Sequence, residues 1–441
     1  MRRSEILAWL GIAAALLATH TIRVVRGDSI SANRNLAGLK LKIAARYYVG
    51  AAQLFLSNPS AVRQLYQQAW PQLTQVAPSS ISRLRCAIVA GELAGAPEAK
   101  RRLTEFLRDA SLDPSLREDA ATLERVYADS APPLSAAEKE RLVQRHGWYA
   151  RLAFSRGLAP NDPVRKAATL PAVRTFLALI GAMFLGAGLF IAGLALLIIG
   201  IVQCQQGKIR SSFMPSPPTG DGPPWVEAFA LYLLAFMVGG AAIMHFWGNW
   251  WAVLGWYAIV AVMVFGCLRW RGARWTEIRQ EVGLHSGRGW WREAAAGRAG
   301  YLAGLPLLAA GALVTYLLVT LAHGTTPMHP IVEWFAHADA RTLIPILLLA
   351  TVIAPLFEEI MFRGMFYRHL RQHLGWLLSA LIMAFIFASI HPQGYFAVPA
   401  LMAIGFTLGC LREWRGSLIA PVCAHALNNG LAFALVWLTC R

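Results

Sequence analysis

Hydrophobic positions fall along this chain in two regimes. From residue 173 onward apolar residues run almost unbroken through eight segments: 176–203, 226–247, 250–268, 299–322, 342–366, 376–391, 396–411 and 418–438. Most approach the about 20 residues needed to cross a bilayer, and the two shortest fit tilted, broken or interior helices. A further apolar stretch, 6–20, follows Arg2 and Arg3. It reads as an uncleaved anchoring helix, because Ala-Thr-His-Thr is a poor small-residue cleavage site. From about 24 to 172 the pattern becomes amphipathic, in runs such as Leu39 to Leu56, Ser79 to Leu93 and Ala136 to Leu158, punctuated by Pro59, Pro71, Pro97 and Pro114. These periods predict an all-α chain in three parts: an N-terminal anchor or signal-like helix at 1–23, a soluble all-helical domain at 24–172, and a polytopic helical membrane bundle at 173–441. With the N-terminal segment the bundle counts about eight to nine spans.

Composition sharpens this picture. Of 441 residues 56% are hydrophobic and 15% charged, which is membrane-protein composition. The net charge of +17 comes mostly from arginines that flank apolar segments, so it reads as topology; nucleic acid is not an expected partner. Trp247, Trp250, Trp251, Trp290 and Trp291 stand at segment ends, where indole rings settle among headgroups. The loop 269–298 carries seven arginines (269, 271, 274, 279, 288, 292 and 298) and marks the cytoplasmic side. Counting outward puts Lys208, Arg210, Arg368, Arg371, Arg412 and Arg415 on that same side and the acidic 323–340 loop opposite. The six cysteines include no CxxC pair, so neither a disulfide framework nor a cysteine zinc site is expected.

Chemistry concentrates in three apolar segments. In LATVIAPLFEEIMFRGMFYRHL (349–370) two adjacent carboxylates, Glu358 and Glu359, stand in or near the end of a span. An ionised side chain at a helix centre costs about 2.5–3.5 kcal/mol on insertion scales, so such residues normally face a cavity or a partner. Arg363 follows Glu359 by four residues, on one helix face and in the favourable acid-first order. Pro355 is expected to free the carbonyl of Thr351 and kink the helix beside the acids. The next segment ends in His391, before Pro392, and the last carries His425 and Asn429 on one face. Straight helices bring Glu358 and His391 to one depth but leave His425 nearer the cytoplasmic side, so broken or tilted helices are required.

The order Glu-Glu-x-x-x-Arg, Phe-x-x-x-His, His-x-x-x-Asn at Glu358, Glu359, Arg363, Phe387, His391, His425 and Asn429 resembles the CPBP family of intramembrane proteases. That family includes the type II CAAX prenyl endopeptidases and bacterial proteins linked to bacteriocin processing and immunity. The resemblance covers about 350–435 and does not extend to 1–172. It implies a CAAX-type endopeptidase in which Glu358 is the general base, His391 helps it hold the attacking water, His425 and Asn429 form the oxyanion hole, and Glu359 with Arg363 supports the helix. It implies a core at about 342–438, a peptide or protein substrate at the membrane, and residence in membrane lipid, for a bacterial chain the inner membrane. Family members are often called metalloproteases. Cofactor expectations therefore stand as none or zinc, with Glu358, His391 and His425 as candidate ligands, although HExxH is absent and His425 cannot both ligate a metal and donate to an oxyanion. Two other classes compete: a proton-coupled transporter relaying through the intramembrane Glu and His residues, and a non-catalytic immunity or binding protein on the same fold. The last residues, Leu438-Thr439-Cys440-Arg441, are not a prenylation box.

Overall fold

A computed structural model describes residues 3–26, 30–54, 58–128, 132–213, 224–247, 250–322 and 339–440, and every regular element among them is helical. The chain folds as two compact units, Met1–Gly27 with Gly186–Ala434, and Asp28–Leu185 with Leu435–Arg441.

The second unit is built from α2 (Ile30–Leu54), α3 (Pro59–Gln75), α4 (Ser80–Ala94), α5 (Ala96–Leu107), α6 (Pro114–Tyr127), α7 (Ala136–His146) and α8 (Trp148–Phe154). Short polar residues start its helices: Asn58, Ser79 and Asp113 accept backbone N–H groups of the first turn, and Ser135 with Glu138 forms a reciprocal capping box. Helix α4 is the core element, burying Leu84, Cys86, Ile88, Val89 and Leu93. A Cβ at Gly91 would sit 2.5 Å from the ring of Tyr127, so only glycine lets that ring close over α4. On the surface Glu98 accepts from Arg101 (2.6 and 2.9 Å), Arg102 (2.8 Å) and the Tyr66 hydroxyl (2.6 Å). The Arg101 hydrogen bonds, despite partial desolvation, hold the Glu98 carboxyl down at about 2.

The first unit contains α1 (Arg3–Arg26), α10 (Trp225–Phe246), α11 (Trp250–Trp270), α12 (Trp275–Val282), α13 (Trp290–Leu321), a composite α14 running from Ala340 to His373, α15 (Trp376–Ile390), α16 (Val398–Arg415) and most of α17 (Ile419–Cys440). Helix α9 (Pro163–Gln205) carries the boundary between the units. Six helices are long and apolar enough to cross a bilayer: Pro163–Gln205, Trp250–Trp270, Trp290–Leu321, Arg341–His373, Tyr395–Arg415 and Ile419–Thr439. Two shorter apolar helices, Trp225–Gly240 and Trp376–Ile390, complete the eight segments expected after residue 173. The chain is thus an integral membrane protein. Helix α1, read in sequence as an anchor, is not among the six, and it buries Ala8, Ile12 and Ala15 while packing against α10.

Without a hydrophobic drive between helices in lipid, close packing has to come from small residues. Helix α13 meets α16 through Gly300 and Gly304, where an added Cβ would lie 2.3 Å from Leu411 and 2.5 Å from Thr407. Helix α16 then meets α15 through Gly405 and Gly409. The spans holding α14 and α16 are 44% and 50% buried within the fold, against 6% for those of α9 and α13, so polar groups on α14 and α16 face protein.

The four stretches assigned by charge to one side of the membrane converge at one end of this bundle. Glu413 accepts both Nε and Nη2 of Arg371 at 3.0 Å, the Tyr367 hydroxyl at 2.7 Å and the Ser211 hydroxyl at 2.7 Å. Glu293 is held in a fork by Arg415 at 2.9 and 2.7 Å and accepts the Arg288 N–H at 2.9 Å. Arg368 pairs with Glu281, and Leu418 N–H donates to the Gly283 carbonyl at 3.0 Å. Residues 323–338, most of the acidic loop expected on the opposite side, lie outside the described residues.

Candidate active site

Helix α14 is not one regular helix. It runs as α-helix over Ala340–Leu348, widens to π-helix over Leu349–Ile353, returns to α for the six residues Ala354–Glu359, widens again over Ile360–Phe366 and finishes as α over Tyr367–His373. π segments inside α-helices are rare and frequent at functional sites. The sequence explains the first. Pro355 has no N–H, and the Ala354 N–H reaches the carbonyl of Leu349, five residues back. The carbonyl given up to another helix is therefore that of Ala350, one residue before the Thr351 expected from α-helical spacing. Asn429 Nδ2 of α17 donates to it at 2.9 Å.

The six-residue turn between the two π segments carries Glu358 and Glu359. Glu359 is fully buried, and its Oε1 accepts from Arg363 Nη1 at 2.9 Å and from His425 Nδ1 at 2.7 Å. Arg363, also fully buried, donates Nη2 to the Gly405 carbonyl of α16 at 2.9 Å and lies with its guanidinium carbon 4.7 Å from the Phe387 ring centre. Arg412 Nε donates in turn to the carbonyl of Arg363 at 3.2 Å. One carboxylate thus ties α14 to α17, and one guanidinium ties it to α16.

Glu358 faces elsewhere. Its Oε2 is buried, has no hydrogen-bond partner among the described residues, and lies 3.9 Å from His425 Nε2, too far for a hydrogen bond. Because Glu359 accepts at Nδ1, a proton is assigned to that nitrogen of His425, and Nε2 is turned toward Glu358. Asn428 Nδ2 donates to Asn429 Oδ1 at 3.1 Å, which with the Ala350 contact fixes the Asn429 amide on both sides.

His391 stands just beyond the end of α15 in extended backbone, as the following Pro392 requires. Its Nδ1 donates to the Phe387 carbonyl at 2.6 Å, and its ring centre is 4.3 Å from that of Phe387. The same Phe387 ring is 6.0 Å from His425. Phe387, the first residue of the Phe-x-x-x-His motif, is therefore the shared neighbour of His391, His425 and Arg363. Glu358 and Glu359, on the turn between the two π segments, both lie against His425.

The site has features the sequence did not announce: the Ala350 carbonyl, the Gly405 carbonyl, Arg412, and two tyrosines from outside the motif region. Tyr232 of α10 and Tyr257 of α11 pack their rings 6.0 and 5.2 Å from Phe357, next to Glu358. The candidate metal set of Glu358, His391 and His425 does not close. Among the described residues no three His, Cys, Asp or Glu side chains come together in a metal-binding group.

The family model for the Rce1-like type II CAAX prenyl endopeptidase matches residues 340–431. An uncharacterized 24.3 kDa protein of Escherichia coli is 31% identical over 139 residues, 30% of this chain and 64% of that protein. The uncharacterized protein YpbD of Bacillus subtilis (strain 168) is 34% identical over 93 residues, 21% of this chain and 46% of that protein. The chain thus spans less than two thirds of the length of these relatives. No solved structure matches it. All three motifs, from Glu358 to Asn429, fall inside the matched segment, and the match supports placing this membrane domain with the CPBP-family intramembrane proteases.

Proposed function

We propose that the protein is an intramembrane endopeptidase that hydrolyses a peptide bond of a membrane-associated or membrane-proximal substrate, with Glu358 as general base. The observation that carries this reading is the asymmetry of the carboxylate pair: Glu359 accepts two hydrogen bonds at Oε1, whereas Glu358 accepts none among the described residues and turns a buried oxygen toward His425. A carboxylate in a poorly hydrated, preorganised site is a competent base, and general-base catalysis contributes about 10²–10⁴-fold.

The reaction balances without further reagents. Glu358 takes one proton from water as the water oxygen bonds to the scissile carbonyl carbon, and the C=O π pair moves onto the carbonyl oxygen. Collapse restores the C=O bond and breaks the C–N bond, and the amine leaves with the proton held by Glu358. His391, fixed through Nδ1 to the Phe387 carbonyl, presents Nε2 as an acceptor that orients the water. His425 is oriented by Glu359, which Arg363 holds in place, and Asn429 keeps α14 in the π register that turns Glu358 inward. No step is routed through a metal. Substrate enters from the end of the bundle marked by Arg371, Arg412 and Arg415, the cytoplasmic side by the arginine count, and the bacterial relatives fit residence in an inner membrane. The 24–172 domain serves as a scaffold or recognition module.

The test is a comparison of peptide termini in membrane proteomes of cells carrying the wild-type protein or Glu358→Ala. New termini dependent on Glu358 are expected. Identical termini in both, with both proteins folded and abundant, overturn the assignment.

A further inference from the structure

The stretch that joins α11 to α13 holds seven arginines against three acids, Glu277, Glu281 and Glu293. Two of those acids are spent elsewhere in the bundle, Glu281 on Arg368 of α14 and Glu293 on Arg415 of α16. Arg271, Arg274, Arg279 and Arg292 are exposed, and their side chains form no ion pair among the described residues. Four tryptophans stand among them at helix ends: Trp270 closes α11, Trp275 opens α12, and Trp290 and Trp291 open α13. Trp270, Trp290 and Trp291 are 85%, 70% and 84% exposed.

Charge bias alone would put this stretch on the cytoplasmic side and ask nothing more of it. The packing of α12 asks more. This helix lies between two membrane spans and buries Ile278 and Val282, while Trp275 and Arg279 stay exposed. Its inner face is fastened to the helix that carries the candidate base. Val282 packs against Gly364 in the second π segment, where an added Cβ would lie 2.5 Å from the valine Cγ1. Arg412 donates Nη2 to the Glu281 carbonyl at 3.0 Å while its Nε holds the Arg363 carbonyl, and Ser417 Oγ donates to the His285 carbonyl at 2.8 Å.

We infer that α12, with Arg271, Arg274, Arg279, Arg292 and the four tryptophans, forms a binding surface for anionic phospholipid headgroups. Guanidinium groups meet phosphate with paired, charge-assisted hydrogen bonds, and a basic cluster beside a membrane span is the arrangement that retains anionic lipid. The indoles select lipid over a soluble anion, because an indole gains from a boundary between apolar and wet surroundings and nothing from free phosphate. Through Val282 and Arg412, occupancy of this surface is felt at Gly364 and Arg363. The surface stands whether or not the bundle hydrolyses peptides.

The test uses the purified full-length protein in neutral detergent, titrated separately with phosphatidylglycerol, phosphatidylcholine, inorganic phosphate and poly-glutamate. Phosphatidylglycerol is expected to raise the unfolding midpoint, as a ligand of the folded state does, and to slow backbone hydrogen exchange over 274–283 and 360–366. The other three should do neither. Replacing Arg271, Arg274, Arg279 and Arg292 together by Gln should leave the lipid-free midpoint unchanged and raise the half-saturating phosphatidylglycerol fraction by about 100-fold or more, at about fivefold for each arginine. If that variant is destabilised without lipid, Arg271→Gln and Arg279→Gln singly decide the matter, each by its about fivefold loss. An equal response to phosphatidylcholine, phosphate or poly-glutamate overturns the inference, as does a wild-type lipid response in the glutamine variants.

Discussion

Two regions of the membrane unit treat buried carboxylates in opposite ways. At the arginine-rich end, Glu413 and Glu293 each have both oxygens engaged, gripped by a two-pronged guanidinium and supplemented by hydroxyl or backbone donors. On the turn between the two π segments, Glu358 accepts no hydrogen bond among the described residues and leaves a buried oxygen unpaired. Removing charge from water is costly, and a fork of charge-assisted hydrogen bonds is the usual compensation. Where the compensation is complete the carboxylate fastens helices together. Glu359 stands between the two cases, with Oε1 doubly engaged and Oε2 without a partner among the described residues, and Glu358, which accepts no hydrogen bond there, is the carboxylate left open to chemistry.

The comparison breaks most sharply at Glu358. Glu358→Gln is expected to cut turnover of a quenched fluorogenic peptide by about 10³-fold or more while leaving the unfolding midpoint unchanged, because it neutralises an oxygen that holds nothing. Next in size, Glu293→Ala should destabilise the unit by about 3–5 kcal/mol, since it strands Arg415 as a buried unpaired charge; thermal unfolding in detergent measures it. Asn429→Ala falls between these types. It orphans the Ala350 carbonyl, costing about 1–3 kcal/mol, and it lets the first π segment relax, so stability and kcat should fall together in matched unfolding and turnover assays. The smallest effect belongs to the soluble unit. Glu98, pulled down to about 2 mainly by Arg101, stabilises the fold fully above the ordinary carboxyl value near 4.5 and loses that contribution as pH falls toward about 2. Glu98→Gln should lower the midpoint slightly at pH 7, with the difference from wild type shrinking through that acidic window.

Much of the site was legible in the sequence because helical spacing determines which residues can meet. Glu359 and Arg363, four apart, do pair, and the polar residues of the three motif segments do gather about one ring. The eight apolar segments after residue 173 are all helices. What stayed hidden depends on departures from regular spacing. The π register moved the freed carbonyl from Thr351 to Ala350, which a 3.6-residue period does not yield. Tyr232 sits in an apolar run whose pattern only marks it as buried. Arg412 reads as the charged end of a span, yet it and Glu413 are buried in a network whose partners come from distant parts of the chain.

The two π segments also determine what kinds of change this helix can tolerate. Each π turn carries about one residue more than an α turn, and one residue is worth about 100° of rotation. Deleting a single residue within Leu349–Ile353 would let the backbone return to ordinary α-helix with no broken hydrogen bonds of its own. It would then swing the Ala350 carbonyl around the axis, away from Asn429, while Glu359 and Arg363 stayed anchored. The helix would be better formed and the active site disassembled, so this stretch should accept many side-chain replacements but reject any change in its length.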